Sequence, residues 1–493
     1  MGSDNSDTSD CAVHDVIVIG AGISGINLAY RLKTQVAGCN YVVLEERDNI
    51  GGTWDLFRYP GIRSDSDLYT FAFSWHPWNR ENPIAEGEAI RAYLHEATTV
   101  TSLYENILFQ HRVSHASWSS DDQQWVLVVD TADGTVNFRG RFIVFATGYY
   151  DYHEPFSAEI PGLNKFSGEV IHPQFWPESF DYRDKRLIVI GSGATAITLV
   201  PTLAREAAQV TMVQRNPSYI VSIPNRAPFT WFGHYLPTSF SWKLRRWWYL
   251  IMSRLMVSFC LKFPNAAKSA IKKEVTKQLP HDVPFDPHFK PRYNPWEQRL
   301  CLCPDSDFFK SLASGRATVE TDTIKEVLSD GLVLSSGKKL NADAIITATG
   351  LKVQIAGSIV IEVDGKEVDI SSKYIWNGAM LQDIPNAALI IGYTNASWTL
   401  GADANAQLIC RLLGYMECSD YGAATPKREN MQEQDSKPVM ELTSTYIKAA
   451  ANRLPRASNT TPWVSHSNYM YDMLFAKYGR IYRGLKFVRK SSQ

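Results

Sequence analysis

The stretch HDVIVIGAGISGINLAYRLK, residues 14–33, decides the fold. Residues 16–19 form an apolar run with the composition of a strand buried in a parallel sheet. The pattern Gly20-x-Gly22-x-x-Gly25 follows at once and leads into an apolar helical pattern. Strand, glycine turn and helix in this order are typical of a dinucleotide-binding unit, in which N–H groups at the start of the helix bind a pyrophosphate.

Each glycine of this turn has its own expected role. Gly20 makes the tight turn, Gly22 lets the backbone approach the pyrophosphate, and Gly25 lets the helix pack close to the sheet. The next strand, YVVLEER (residues 41–47), contains Glu45. A carboxylate there accepts hydrogen bonds from ribose hydroxyls and repels a 2′-phosphate, so the first unit predicts FAD.

The same unit recurs in KRLIVIGSGATAITLVPTLA, residues 185–204. Its second strand, VTMVQR, ends in Arg215 where the first unit has Glu45. A guanidinium binds a 2′-phosphate through paired, charged hydrogen bonds, so this unit predicts NADPH rather than NADH. A solvated surface arginine is the alternative interpretation. The candidate NADP-binding residues of this turn are Gly191, Ser192, Gly193, Thr195 and Ala196.

Two dinucleotide units predict an α/β flavoprotein with two Rossmann-type domains that takes hydride from a nicotinamide. Two more apolar strands, in residues 142–150 and 343–351, end in Ala-Thr-Gly, where the chain is expected to cross between domains. Between Gly25 and Gly148 the only cysteine is Cys39, which excludes a disulfide reductase. Oxidase, electron-transfer reductase and monooxygenase remain open.

Length and composition predict the number of domains, the classes of ligand and the cellular location. The 493 residues of the chain predict two or three domains, and the net charge of −1 shows no excess of positive charge that would indicate nucleic-acid binding. Seven scattered cysteines indicate a reducing compartment, and Cys301 and Cys303 lack the second pair of a zinc site, so no metal is expected. Residues 1–11 are polar and acidic, without a secretory signal, and are expected to be disordered. A cytoplasmic location follows.

The stretch WKLRRWWYLIMSRLMVSFCLKF, residues 242–263, has two interpretations. Arg254 interrupts it, so no uncharged run is long enough to span a membrane. Its Trp and Arg content permits an interfacial helix with peripheral membrane contact. The favoured interpretation is a buried helix in an inserted subdomain.

The segment FSGEVIHPQFWPE, residues 166–178, lies just before the second glycine turn. It resembles the fingerprint FxGxxxHxxxWP, followed by an acidic residue, of the type I Baeyer–Villiger monooxygenases. Three further stretches resemble the same family: GGTWDLFRYPGIRSDSD at 51–67, YNPWEQRLCLCP at 293–304 and GYTNASWTL at 392–400. The resemblance covers nearly the whole chain.

This resemblance implies an FAD- and NADPH-dependent enzyme that forms a C4a-peroxyflavin with O2, converts ketones to esters or lactones and also oxidises thioethers. Arg299 is the implied catalytic cation beside the flavin, since such chemistry needs a positive charge next to the developing oxyanion. Asp65 is the implied partner that orients it, although the residues alone do not distinguish Asp65 from Asp67. A structural ion pair is the alternative for Arg299.

The resemblance also implies cofactor contacts outside the glycine turns. Ser24 is expected near the FAD pyrophosphate, Thr53 and Trp54 along the flavin, and Val113 at the adenine through its backbone. Arg63 and Ser64 are expected to approach NADP.

His172 invites the interpretation of a catalytic base, because histidine titrates near neutral pH. Its segment is instead rich in turn residues, and prolines bias His172 and Trp176 towards extended conformations. We therefore expect these two residues to belong to a linker that couples the nicotinamide domain to the flavin site.

The expected organisation is a discontinuous FAD domain (residues 12–150 and 380–493), an NADPH domain (155–225 and 295–375) and a helical insertion (226–294) over the substrate pocket. Two other functions remain open: an N- or S-oxygenating flavin-containing monooxygenase, whose fingerprint lacks the Trp-Pro-acid ending, and a non-catalytic nucleotide-binding or redox-sensing protein.

Overall fold

The computed structural model describes residues 12–229, 238–428, 436–440, 444–465 and 468–491. The expected disorder of residues 1–11 lies outside this range. Twelve α-helices lie within the described residues: α1 Ile23–Gln35, α2 Thr53–Leu56, α3 Leu68–Phe71, α4 Gly87–Val100, α5 Ala194–Leu203, α6 Thr238–Lys262, α7 Pro264–Thr276, α8 Phe285–His288, α9 Asp307–Ala313, α10 Trp398–Cys418, α11 Thr445–Ala450 and α12 Tyr469–Tyr478.

The larger sheet contains the first glycine turn. Val13–Ile19 is one of its central strands and pairs in parallel with Tyr41–Leu44 on one side and Gly134–Phe145 on the other. Its remaining strands within the described chain are Ile107–Leu108, Arg112–Ser119, Gln124–Thr131, Val360–Val363, Lys366–Glu367, Ile375–Trp376, Met380–Leu381 and Ala387–Leu389. Helices α1 and α10 contact each other, and their apolar residues share one core with this sheet.

The smaller sheet contains the second glycine turn. Five strands, all parallel, follow the order Ala317–Thr321, Gln209–Gln214, Arg186–Ile190, Ala344–Thr347, Glu169–Ile171. A three-stranded antiparallel sheet lies within the same part of the chain, formed by Ile324–Leu328, Gly331–Leu334 and Lys339–Asn341. Two sheets with helices confirm the α/β class with two Rossmann-type units expected from the sequence.

Three two-stranded sheets complete the described strands. They are Ile220–Ile223 with Cys301–Pro304, Tyr421–Pro426 with Leu485–Arg489, and Lys437–Pro438 with Arg456–Ala457. The first of these is parallel, and it places the segment that follows Arg299 against the strand that follows Arg215.

One expected domain boundary is wrong. Residues 295–375 were expected in the NADPH domain, but Val360–Val363 pairs with Arg112–Ser119 and so belongs to the larger sheet. The chain leaves the smaller sheet at the end of Ala344–Thr347 and crosses over immediately. The strand at 360–363 is short and lies near the edge of its sheet, so it carries no sequence motif that would reveal its partner.

Helices α6, α7 and α8 lie within residues 226–294, where a helical insertion was predicted. The expected burial of α6 holds for one face only. Trp242 and Val257 are buried, whereas Trp247, Ile251 and Leu255 are about half exposed. Within the part of the chain that the structure describes, α6 included, no helix combines the length and the apolar character needed to cross a bilayer.

Candidate active site

The first glycine turn has the geometry that its three glycines require. Gly20 has a φ of +103°, and a Cβ there would lie 2.9 Å from the carbonyl oxygen of Ala146. A Cβ at Gly25 would lie 1.9 Å from the carbonyl oxygen of Gly20. Gly22 is the N-cap of α1 and faces Gly52, a second glycine. The turn therefore leaves open backbone at a helix N-terminus, which fits a pyrophosphate.

Glu45 lies at the end of the second strand of this unit. Its carboxylate accepts hydrogen bonds from the backbone N–H of Ala21 at 2.6 Å and of Arg47 at 3.0 Å. Burial raises the pKa of Glu45 to about 7, although these two bonds favour the ionised form. A cavity beside Glu45 is lined by Ile19, Gly20, Gly22, Leu44, Glu46, Gly52, His111, Arg112, Val113, Ala146 and Thr147, among others. Turn, carboxylate and cavity together fit the adenosine half of FAD.

Thr53 and Trp54 follow the two-glycine turn at the start of α2. Tyr150 donates a hydrogen bond to the hydroxyl of Thr53. Trp54 packs edge-on against Phe71, with ring centroids 5.7 Å apart. Trp54 is partly buried and packs against the core of the larger sheet.

Ser24 is buried in the first turn of α1, and its hydrogen-bond partner is a residue far along the chain. Its hydroxyl accepts a hydrogen bond from Nε1 of Trp398 at 3.0 Å. The ring of Trp398 stacks on Tyr149 with centroids 5.0 Å apart. Gly392 provides the space for this indole, since a Cβ there would lie 2.3 Å from the ring. The sequence showed Trp398 only as part of GYTNASWTL and gave it no role.

The second glycine turn repeats the first. Gly191 has a φ of +141°, and a Cβ there would lie 2.2 Å from the carbonyl oxygen of Ala348. Gly193 is the N-cap of α5, and Ala196 is fully buried in that helix. Ser192 donates a hydrogen bond to the carbonyl oxygen of Asn216 at 2.9 Å. This turn also presents open backbone at a helix start and fits a second dinucleotide.

Arg215 is exposed and directly follows the strand Gln209–Gln214. Its guanidinium lies 3.4 Å from the hydroxyl of Thr445, the first residue of α11. The C-terminal part of the chain therefore reaches the second glycine unit. No motif in the sequence indicated this contact.

The segment before Asp65 approaches the smaller sheet closely. Arg63 forms an ion pair with Asp307 at the start of α9. A Cβ at Gly61 would lie 2.1 Å from the hydroxyl of Thr202 in α5. The hydroxyl of Thr195 is a hydrogen-bond partner of Tyr59. Ser64 is buried and donates its N–H to the carbonyl oxygen of Ala85. In this structure, Arg63 is therefore engaged by the protein itself.

His172 and Gln174 together connect the second Ala-Thr-Gly turn with the chain just after the first. Its Nδ1 accepts the N–H of Gln174 at 3.2 Å, and its Nε2 donates to the carbonyl oxygen of Gly350 at 3.2 Å. The side chain of Gln174 donates to the carbonyl oxygen of Asp151 at 2.6 Å. Burial lowers the pKa of His172, which favours this neutral form. The two turns also pair directly, through a bridge between Tyr150 and Val353.

Trp176, four residues after His172, lies beside the smaller sheet. Its ring packs edge-on against Phe180, with centroids 5.7 Å apart, and contacts the core of the smaller sheet. His172 is thus bonded to Gly350, and Trp176 packs into the core of the smaller sheet. That this segment couples the two domains stays a prediction.

Arg299 and Asp65 meet at the junction of the two sheets. A guanidinium nitrogen of Arg299 lies 3.1 Å from a carboxylate oxygen of Asp65. Arg299 also donates to the carbonyl oxygens of Tyr393 at 3.0 Å and Thr394 at 3.3 Å. These two residues belong to GYTNASWTL, which contributes the carbonyl groups.

The charge of Arg299 is secure. Burial lowers its pKa, but the Asp65 carboxylate and the side chains of Tyr149 and Tyr446 outweigh this effect, and the pKa lies above the ordinary value for arginine. Tyr446 also packs against Gly350, where a Cβ would lie 3.2 Å from the tyrosine Cβ. Tyr446 therefore lies against Gly350, the hydrogen-bond partner of His172, and close enough to Arg299 to affect its pKa.

Asp67 has a different role. Its side chain caps α3 by accepting the N–H of Thr70 at 2.8 Å and the hydroxyl of the same residue at 2.7 Å. Burial raises the pKa of Asp67 to about 6. Of the two carboxylates that the sequence left undistinguished, Asp65 is the one that contacts Arg299.

Two glycine turns that each fit a dinucleotide, together with the arginine fixed by Asp65 and two backbone carbonyls, define the class of protein: a flavoprotein that takes electrons from a nicotinamide. The chain belongs to the flavin-binding monooxygenase-like family, whose sequence profile matches residues 13–355. The protein is accordingly a flavoprotein monooxygenase and an enzyme, so the non-catalytic alternative is wrong.

Similar proteins agree with this assignment. The FAD-containing monooxygenase EthA of Mycolicibacterium smegmatis is 41% identical, over 95% of this chain and 95% of that protein. The probable FAD-binding monooxygenase AlmA of Acinetobacter baylyi is 42% identical, over 97% of this chain and 96% of that protein. The names of both relatives match the expected flavin.

Solved structures share the fold. Cyclohexanone monooxygenase with bound epsilon-caprolactone superposes with a TM-score of 0.76 at 22% identity, over 97% of this chain and 100% of that one. Oxidized steroid monooxygenase bound to NADP gives a TM-score of 0.76 at 20% identity, with the same coverage. At this identity the likeness shows the fold alone.

Proposed function

We propose that the protein is a Baeyer–Villiger monooxygenase that uses FAD, NADPH and O2 to convert ketones to esters or lactones, and that it also oxidises thioethers. One oxygen atom of O2 enters the ketone and the other leaves as water, while NADPH supplies the two electrons. The observation that carries the proposal is the Arg299 guanidinium, fixed by Asp65 at 3.1 Å and by two backbone carbonyls where the two sheets meet.

The arginine supplies the electrostatic part of the reaction. Oxygen insertion next to a carbonyl places negative charge on the carbonyl oxygen, and a fixed cation stabilises that charge without reorganising. Arg299 retains its proton throughout, because its pKa lies above the ordinary value. Asp65 orients the guanidinium and does not transfer a proton. Reduced FAD, when bound, supplies the electrons that activate O2.

The cofactor contacts follow from the two turns. We assign Gly20, Gly22, Ser24, Gly25 and Glu45 to FAD, together with Thr53, Trp54, Asp65 and Val113. We assign Gly191, Ser192, Gly193, Thr195, Ala196 and Arg215 to NADPH, with Arg63 and Ser64 approaching it from the other domain. Support comes from the open backbone at both helix starts and from the cavity that Glu45 and Val113 line together.

The location follows from the cysteines. We propose that the enzyme works in the cytoplasm, because its seven scattered cysteines suit a reducing compartment.

Product analysis tests the proposal. The purified holoenzyme is incubated with NADPH, O2 and either phenylacetone or methyl phenyl sulfide, and products are identified by gas chromatography and mass spectrometry. We expect benzyl acetate from the ketone and a sulfoxide from the thioether, each with one atom from labelled O2. A sulfoxide with no ester across a panel of linear, cyclic and aryl ketones would instead identify an N- or S-oxygenating monooxygenase.

A further inference from the structure

Helix α6 is fixed to the larger-sheet domain by one face. Trp242 and Val257 on that face are 8% and 1% exposed. Between them, the buried Arg246 donates hydrogen bonds to the carbonyl oxygens of Tyr69 at 2.8 Å and Ala72 at 3.0 Å. These contacts hold the helix against α3, so its orientation is determined.

The opposite face of α6 is apolar and exposed. Its side chains recur every three or four residues and are between 37% and 56% exposed: Leu244, Trp247, Trp248, Ile251, Leu255 and Phe259. A helix that is apolar on both faces is typical of an element that contacts two apolar environments. Contiguous exposed apolar patches of this kind mark membrane or partner surfaces. We refer to these six residues as the outer row.

The charged residues of α6 and α7 are almost all basic. Residues 238–277, which contain α6 and α7, carry nine Lys and Arg and one acidic residue, Glu274, although the whole chain has a net charge of −1. Lys243 and Arg254 are exposed and lie along one border of the row. Two copies of this face would bring like charges together, whereas an anionic lipid surface complements them.

We propose that α6 lies in the interface of an anionic lipid bilayer. The outer row enters the boundary between headgroups and acyl chains, Trp247 and Trp248 lie at headgroup depth, and Lys243 and Arg254 contact lipid phosphates. The helix lies parallel to the surface and does not cross the bilayer. This inference is independent of the proposed reaction, since no outer-row residue belongs to the candidate active site.

Helix α12 carries further exposed apolar and aromatic side chains. Its Tyr471, Leu474 and Tyr478 are 55%, 56% and 77% exposed. Tyr469, the first residue of α12, is a hydrogen-bond partner of Arg246 on the buried face of α6. Exposed tyrosines of this kind suit the headgroup region of a bilayer.

Vesicle flotation with the full-length holoprotein tests the proposal. We expect binding to phosphatidylcholine–phosphatidylglycerol vesicles, weaker binding to phosphatidylcholine alone, and partial release by high salt. The triple variant Trp247→Ser, Ile251→Ser, Leu255→Ser and the double variant Lys243→Gln, Arg254→Gln are each expected to lower the partition coefficient by roughly tenfold or more.

Two control variants carry similar substitutions at exposed positions outside α6. Val100→Ser, Val136→Ser, Val360→Ser replaces three apolar residues that are 63%, 43% and 40% exposed, and Lys325→Gln, Lys366→Gln replaces two exposed lysines. Both controls are expected to bind like the wild type. Flavin content and NADPH oxidation report whether each variant is folded.

Three results would overturn the proposal. The first is wild-type protein that floats with neither vesicle. The second is a triple variant that keeps its flavin and still binds anionic vesicles as tightly as its control. The third is a dimer that the triple variant converts to a monomer, with no lipid binding by the wild type, which would make the outer row an interface between two copies.

Discussion

Asp65 and Arg299 are 234 positions apart in the chain, yet the carboxylate of one lies 3.1 Å from the guanidinium of the other. The contact joins a loop of the larger-sheet domain to the segment that enters Cys301–Pro304. The backbone carbonyls of Tyr393 and Thr394 complete the set of acceptors around the arginine. A cation fixed in this way is preorganised for charge that develops on a substrate.

Replacing Arg299 separates NADPH consumption from oxygenation. In Arg299→Ala we expect NADPH oxidation to continue while ester formation falls by 10²-fold or more and hydrogen peroxide appears, because the cation that stabilises the oxyanion is gone. Assays of ester and hydrogen peroxide in the same reaction measure how the consumed NADPH divides between the two products. Arg139→Ala, which removes an exposed arginine elsewhere, serves as the control. Ester formation that survives in Arg299→Ala would refute the assigned role.

Asp65 acts through the arginine, so its replacement should be milder. Asp65→Asn keeps the shape but weakens the charged hydrogen bond, and we expect product per NADPH to fall by roughly tenfold. The KM for NADPH should change little. Steady-state kinetics with simultaneous peroxide detection distinguish the two parameters. If Asp65→Asn forms as much product per NADPH as the wild type, the backbone carbonyls suffice to hold Arg299.

Asp67 should affect stability and its pH dependence. Burial raises the folded-state pKa of Asp67 from its usual 3.8 to about 6. The ionised form is therefore disfavoured in the folded protein, and the associated stability, present below pH ~4, is lost as pH rises through ~6. Asp67→Asn keeps the cap to Thr70 and should remove this dependence, which amounts to at most about 3 kcal/mol. Urea unfolding at several pH values measures it; parallel curves for both proteins would contradict the expectation.

His172 should influence coupling without acting as a base. His172→Gln weakens the bonds to Gly350 and Gln174, and we expect slower NADPH oxidation and more peroxide. Because burial lowers the pKa of His172, the ring is already neutral near pH 7, so the variant should keep the wild-type pH profile. A limb of the rate profile near pH 6 that disappears in His172→Gln would instead identify a general base.

Arg215 should set the preference for NADPH over NADH. Arg215→Ala removes a charged contact to the 2′-phosphate, so the KM for NADPH should rise by about 10–100-fold while the value for NADH stays constant. Arg205→Ala provides an arginine control outside the turn. An unchanged ratio of kcat/KM for the two nucleotides would leave Arg215 as a solvated residue that contacts Thr445.

The sequence by itself determined the two dinucleotide units and the chemistry they predict. Gly20, Gly25 and Gly191 could be interpreted without a structure, since their roles depend on neighbours within a few dozen residues and on backbone geometry that glycine alone permits. The roles expected for Glu45 and Arg215 were inferred in the same way, because each residue stands at the end of the second strand of its unit, at a similar spacing from the glycine turn.

Only the tertiary structure decided which distant groups meet. It distinguished Asp65 from Asp67, placed Tyr446 against Gly350, and assigned Val360–Val363 to the larger sheet. It also showed that α6 buries one apolar face and exposes the other, which hydrophobic composition cannot reveal. The physical reason is common to all four: a contact between residues far apart in the chain depends on how whole domains pack, and local sequence does not encode that packing.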